Sequence, residues 1–158
     1  MKCKEIKPND FNKVGGLLCE VISLMNSKYN VPMKFNIEKI REEFDSNIKD
    51  QLSVAYGCWE DNTLLGLGVF QIGSAYHEKN TLSFVEKVLH PDPTLNKNKK
   101  AKVMIKLIEY IEKRAAATNV NSYVVISAQS NTGLPCYLER KGYGDKEISL
   151  RKLIKKKE

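Results

Sequence analysis

Few side chains in this sequence are equipped for proton or phosphate chemistry, and they gather in a few places. Glu86 sits inside 81–89, a run of β-favouring residues where a carboxylate is out of character. His90 ends that run and His77 precedes it, and they are the only histidines. Carboxylates and imidazoles are the groups that take protons near neutral pH. Each also has a plainer reading, as a paired or solvated strand-end or loop residue. Strict alternation would face Glu86 away from Val85, Lys87 and Leu89. Just beyond lies Lys97-Asn98-Lys99-Lys100-Ala101-Lys102, where the strongest helical pattern begins. A helix start offers unpaired N–H groups and the positive end of the dipole, so this segment is either an anion cradle or a solvated face. Cys136 and Tyr137 bring a thiol and a phenol together on a later short helix, where packing is the simpler role for both.

The elements that position these residues follow from the period of the apolar positions. A short strand (2–7) stops at Pro8-Asn9-Asp10. A helix follows with Phe11, Val14, Leu17, Leu18, Val21 and Ile22 on one side, and Asn9 or Asp10 able to cap it. Gly15-Gly16 inside that pattern predicts a kink or a late start. A loop holding Asn30 and Pro32 precedes a second helix, 36–48, capped by Asn36. The period then changes to two. Residues 52–59 and 63–72 read as a hairpin turning at Glu60-Asp61-Asn62, with Gly66 and Gly68 marking close packing or a bulge. A polar loop (73–80) leads to a strand, 81–89, ended by His90-Pro91-Asp92-Pro93. The long helix 97–118 carries an apolar stripe of Val103, Met104, Leu107, Ile108 and Ile111. A buried strand (123–126), a short helix from about 131 with Pro135 in its first turn, and a last strand (146–154) complete the chain. The predicted class is α+β, in α/β/α layers around a mixed, mostly antiparallel sheet, in the order β-α-α-β-β-β-α-β-α-β.

The segment Asn131-Thr-Gly-Leu-Pro-Cys-Tyr-Leu-Glu-Arg-Lys-Gly142-Tyr143, with the alternating 147–154 after it, resembles the last conserved block of the GCN5-related N-acetyltransferases (the GNAT superfamily). There an Asn ends a strand, a short helix follows, and a Gly-aromatic pair leads into the final strand. The resemblance implies a single acyltransferase domain over 1–158 whose central strands splay to admit acetyl-CoA as co-substrate. It implies that the strand through Val88 and Leu89, before the Leu89-His90-Pro91 step, binds the acetyl carbonyl and pantetheine through its amides. It places the pyrophosphate at 97–102 and gives Asn131 a cofactor-binding position. Aligned on the family's phosphate turn, Asn96 stands at the Gln/Arg position, Lys99 at the first glycine and Ala101 at the second. Ala101 satisfies the pattern; Asn96 and Lys99 depart from it. By the same resemblance, Glu86, His90 or a bound water would deprotonate the acceptor amine. The family's usual acid, a Tyr four residues before the Gly-aromatic pair, is replaced by Leu138, with Tyr137 pointing about 100° away.

The whole composition fits that class. The 158 residues are 42% hydrophobic and 28% charged, with a net charge of +7 carried mostly by lysine. Lysine is a solvated point charge, whereas base-edge readers rely on Arg forks, so no specific nucleic-acid role is expected. No apolar run approaches the roughly 18 residues of a membrane span, and the N-terminus has no secretory h-region. Four scattered cysteines show neither CxxC spacing nor a disulfide pattern, which predicts a reduced, cytoplasmic setting and no metal site. The expected activity is acetyl transfer from a CoA thioester to a primary amine of a small molecule or protein. The competing reading is a catalytically weakened GNAT-fold protein with a binding or structural role. A looser resemblance to the small GNAT-like proteins of tailed bacteriophages extends that reading to a virion location. Self-association and membership of a larger assembly stay open.

Overall fold

The structure, a computed structural model, describes residues 1–26, 34–74, 80–127 and 134–144, and falls into two compact units, 1–125 and 126–158, taken separately below. The first unit is a five-stranded sheet in the order β1-β2-β3-β4-β5: β1 (Lys2–Glu5), β2 (Ser53–Glu60), β3 (Thr63–Ser74), β4 (Thr81–Pro91) and β5 (Asn121–Val125). The first four pair antiparallel and β5 joins β4 in parallel. The hairpin forms where the sequence places it. Asp61 and Asn62 both take left-handed φ angles, 47° and 66°, the turn whose twist matches the flanking strands.

Helices α1 (Gly15–Asn26) and α2 (Ile37–Lys49) pack on one face of the sheet, and α3 (Lys97–Ala116) on the other. The first helix corrects one expectation. Asp10 makes no side-chain cap; a 3-10 turn at Phe11–Lys13 comes first and the α-helix starts at the glycines. Asn36 does cap α2, its Oδ1 accepting the Lys39 amide at 3.0 Å.

Each face has its own core. On the α1/α2 side Ile6, Phe11, Val14, Leu18, Val21 and Phe44 close on Ala55, Leu67 and Val88. On the other side Val103, Leu107, Ile108 and Ile111 of α3 are fully buried, as are Tyr56 and Phe70 of the sheet. Tyr56 donates its hydroxyl to the Leu107 carbonyl at 3.0 Å and lies 4.5 Å, ring to ring, from Tyr110. Gly66 explains how α3 comes so close: a Cβ there would stand 2.5 Å from Val103 Cγ1.

In the second unit, α4 (Leu134–Arg140) holds Pro135 in its first turn. The helix ends in a Schellman cap. Tyr143 donates to the Leu138 carbonyl at 3.0 Å and Gly142 to that of Glu139 at 3.1 Å, with Gly142 at φ +90°. The Gly142-Tyr143 pair is therefore a helix stop that only glycine makes at low cost. The predicted last strand, His77, Asn131 and the loop of Asn30 and Pro32 lie outside the described residues.

Candidate functional site

The site is built on β4. Its ladder with β5 covers five rungs, from Thr81–Asn121 to Val85–Val125, and stops there, while β4 runs on to Pro91. Beyond that last rung β4 continues through 86–91 without a β5 partner among the described residues. On its other side β4 stays paired with β3 to the end, through a bulge. Phe70 faces Glu86 and Val69 faces Val88, leaving Lys87 as the extra residue.

That bulge changes which side chains share a face. Partners across a rung point the same way, so Glu86 goes with Phe70 and Leu89 with Gly68, both toward α3. The alternation drawn from the sequence, which set Glu86 opposite Leu89, fails because one inserted residue resets the period. His90 pairs with Leu67 and faces the α1/α2 side. Glu86 and His90, both half-buried, thus lie on opposite faces of the sheet. His90 Nδ1 lies 2.5 Å from the Pro91 carbonyl. A carbonyl only accepts, so Nδ1 carries a hydrogen.

The strand also runs further than its prolines suggested. Asp92 donates to the Leu65 carbonyl at 2.8 Å. Successive amides point to opposite edges, so the Pro91 nitrogen faces away from β3, where the β5 ladder has already ended and a missing N–H costs nothing. The same alternation directs the Leu89 N–H and C=O to that edge, which has no partner past Val85 among the described residues, and the Val88 amide toward β3. Of the two residues expected to offer amides, Leu89 has the orientation to do so and Val88 does not.

Beyond Pro91 a tight turn, in which Asp92 Oδ1 accepts the Thr94 amide and hydroxyl at 2.8 and 2.7 Å, delivers the chain to α3. Asn96 caps the helix; its Oδ1 accepts the Lys99 amide at 2.9 Å and its carbonyl accepts that of Lys100 at 2.9 Å. Among the described residues, the amides of Lys97 and Asn98 have no protein partner, and the first turn holds no acidic residue. Lys99 does not project into free space. Its ammonium pairs with Glu60 at the end of β2, and that contact holds the Glu60 carboxyl below its usual range. Lys97, Lys100 and Lys102 make no ion pair among the described residues. A cavity of about 560 Å³ opens here, lined by Met1, Glu60, Asn96, Lys97, Asn98, Lys99 and Lys102. Lys100 and Ala101 lie outside its lining. Sequence reasoning missed Glu60 because the contact joins segments far apart in the chain.

In the second unit Leu138 is buried, while its neighbour Tyr137 is half-exposed and Cys136 exposed, the angular spread a helix imposes. Among the described residues no group of His, Cys, Asp and Glu could hold a metal ion, and no helix is long and apolar enough to cross a membrane.

The fold is shared with structures of acetyltransferases. A probable acetyltransferase matches over 100% of both chains, at 15% identity and a TM-score of 0.71. Glucosamine-6-phosphate N-acetyltransferase from Arabidopsis thaliana matches over 98% of each, at 15% identity and TM-score 0.65. A predicted acetyltransferase from Clostridium acetobutylicum, with acetyl-CoA, covers 96% of this chain and 95% of its own, at 16% identity and TM-score 0.59. No family model and no curated protein matches the sequence. The likeness is one of architecture: a mixed sheet of this order between these helices.

Proposed function

We propose that the chain is an acetyl-CoA-dependent N-acetyltransferase that transfers the acetyl group directly to a primary amine, with 1–158 acting as one domain. The observation that carries this is the continuity of β4 with α3. Among the described residues, a β4 edge without a partner past Val85 leads within a few residues to a helix start with two unpaired amides and three unpaired lysines. The first can orient a thioester and its amide-bearing arm; the second suits a pyrophosphate. The thioester, when bound, supplies an activated acyl group and a leaving group that is already a weak base. The protein must then hold the carbonyl, for which the Leu89 N–H is directed suitably, and remove a proton from the incoming ammonium. Glu86 and His90 are the side-chain candidates for that proton, with a bound water as the alternative. Their opposite facing means that one of them, not a relay of both, would serve. The departing thiolate takes its proton from water, so Tyr137 is not needed as an acid.

A second reading has one specific observation in its favour. The Asn96 side chain occupies the Lys99 amide, and Glu60 neutralises the Lys99 ammonium, so the turn offers fewer contacts than a glycine-rich one. On that reading the chain keeps the fold as a binding or structural component, including in a virion. Calorimetric titration with acetyl-CoA at low and moderate salt separates the two. Micromolar binding that weakens with salt is expected of the enzyme, and no binding at either salt would establish the structural reading instead.

A further inference from the structure

Cys3 and Cys58 stand directly opposite each other on β1 and β2. The Ile6 amide donates to the Ala55 carbonyl at 2.8 Å, three rungs along the same ladder. Bonded and non-bonded rungs alternate in an antiparallel pair, so the Cys3–Cys58 rung is a non-bonded one. Such rungs bring Cα atoms to about 4.5 Å, inside the window of roughly 4.4–6.8 Å that a disulfide requires. Both thiols are free, and the one hydrogen on Cys3 goes to the Lys106 carbonyl. The neighbouring Cys58 sulfur, with burial, pushes the Cys3 thiol up, while Cys3 holds Cys58 below its ordinary range. Cys58 is fully buried, whereas Cys3 is part-exposed near the chain start, its Sγ 3.5 Å from the Lys106 carbonyl.

We infer that Cys3 and Cys58 form a redox modification site, a dithiol that closes to a cross-strand disulfide by exchange with a low-molecular-weight disulfide such as oxidised glutathione. The accessible sulfur reacts first. Access, not acidity, selects Cys3, so its deprotonation is the slow step; the thiolate attacks one glutathione sulfur, forming a mixed disulfide and releasing the other half as a thiolate that takes a proton from water. The Cys58 thiol, already opposite, then gives up its proton to solvent as it attacks the Cys3 sulfur. The Cys3–Cys58 bond forms, and the second glutathione leaves as a thiolate that takes a proton from water. The protein dithiol gives up two electrons and the small disulfide is reduced to two thiols. Closure ties β1 to β2 beside α3 and seals a loop of about 55 residues, which constrains the unfolded chain strongly.

The full chain is equilibrated with excess oxidised glutathione, alkylated and mapped by mass spectrometry, with a melting curve taken on the same sample. The expected map joins Cys3 to Cys58 within one chain, with Cys19 and Cys136 recovered as alkylated thiols or glutathione adducts. The melting temperature should rise by about 10 °C and return on reduction. Cys3→Ser should abolish the rise, whereas Cys136→Ser should keep it. Recovery of Cys3 and Cys58 as unlinked thiols or separate adducts, or joined between chains, would overturn the inference. The map on the unmodified sequence decides this even where Cys3→Ser folds poorly.

Discussion

One added methyl group should have opposite effects at two glycines, and the geometry sets both signs. A Cβ at Gly66 would stand 2.5 Å from Val103 Cγ1, 3.1 Å from the His90 carbonyl oxygen and 3.2 Å from Leu107 Cδ1. Val103 can rotate only within a fully buried environment, and the His90 carbonyl belongs to the β4 backbone, so neither yields cheaply. Overpacking of this kind costs about 2 kcal/mol, offset by up to about 1 kcal/mol from the stiffer unfolded chain. Gly66→Ala should therefore destabilise by about 1–2 kcal/mol and lower the melting temperature by about 4 °C. At Gly16, in the first turn of α1, a Cβ meets nothing within 4 Å. Gly16→Ala should stabilise by about 0.5–1 kcal/mol, because alanine gives up less backbone freedom on folding. Urea unfolding of both variants at unchanged m-value measures the pair. Because the obstructed atoms join β4 to the start of α3, Gly66→Ala should also weaken acetyl-CoA binding, while Gly16→Ala leaves it alone. A Gly66→Ala variant as stable as the parent would refute the claim that α3 is seated by that missing side chain.

The double change Lys97→Glu with Lys100→Glu should weaken acetyl-CoA binding at least tenfold, roughly 1.4 kcal/mol by calorimetry; an unchanged constant would mark the lysines as a solvated face. Asn96→Ala should cost about 1 kcal/mol of stability through the lost cap, yet spare acetyl-CoA affinity, since it frees the Lys99 amide. Collapse of affinity in a folded Asn96→Ala protein would make Asn96 itself a ligand. In a free-thiol release assay Tyr137→Phe should keep most activity and Glu86→Gln should lose more; a hundredfold loss in a folded Tyr137→Phe protein would restore the phenol as the acid.

Local patterns in the sequence carried most of the architecture: the Asn36 cap, the Asp61-Asn62 turn and the apolar stripe of α3 were legible because each depends on neighbours a few residues away. Three features were not. The bulge at Lys87 leaves no mark in a run of β-favouring residues, and it decides which face Glu86 occupies. The Glu60–Lys99 contact and the Cys3–Cys58 rung depend on strand register, which is set by the packing of both sheet faces at once. The candidate site was legible to the extent that it rests on a helix start. Which amides of that start and of β4 stay available became clear only with the hydrogen bonds in view.

The half of β4 that leaves β5 has a consequence for solubility. Where a strand loses its neighbour, the row of outward N–H and C=O groups becomes a template on which any extended chain could dock and begin to aggregate. Here that row is interrupted at both ends. The bulge at Lys87 twists the strand on one side, and Pro91, with no hydrogen to give, blocks it on the other. Between them Leu89 presents a single outward peptide group. Among the described residues that stretch is too short to recruit a strand from another molecule, so the two interruptions keep this edge of β4 from seeding an aggregate.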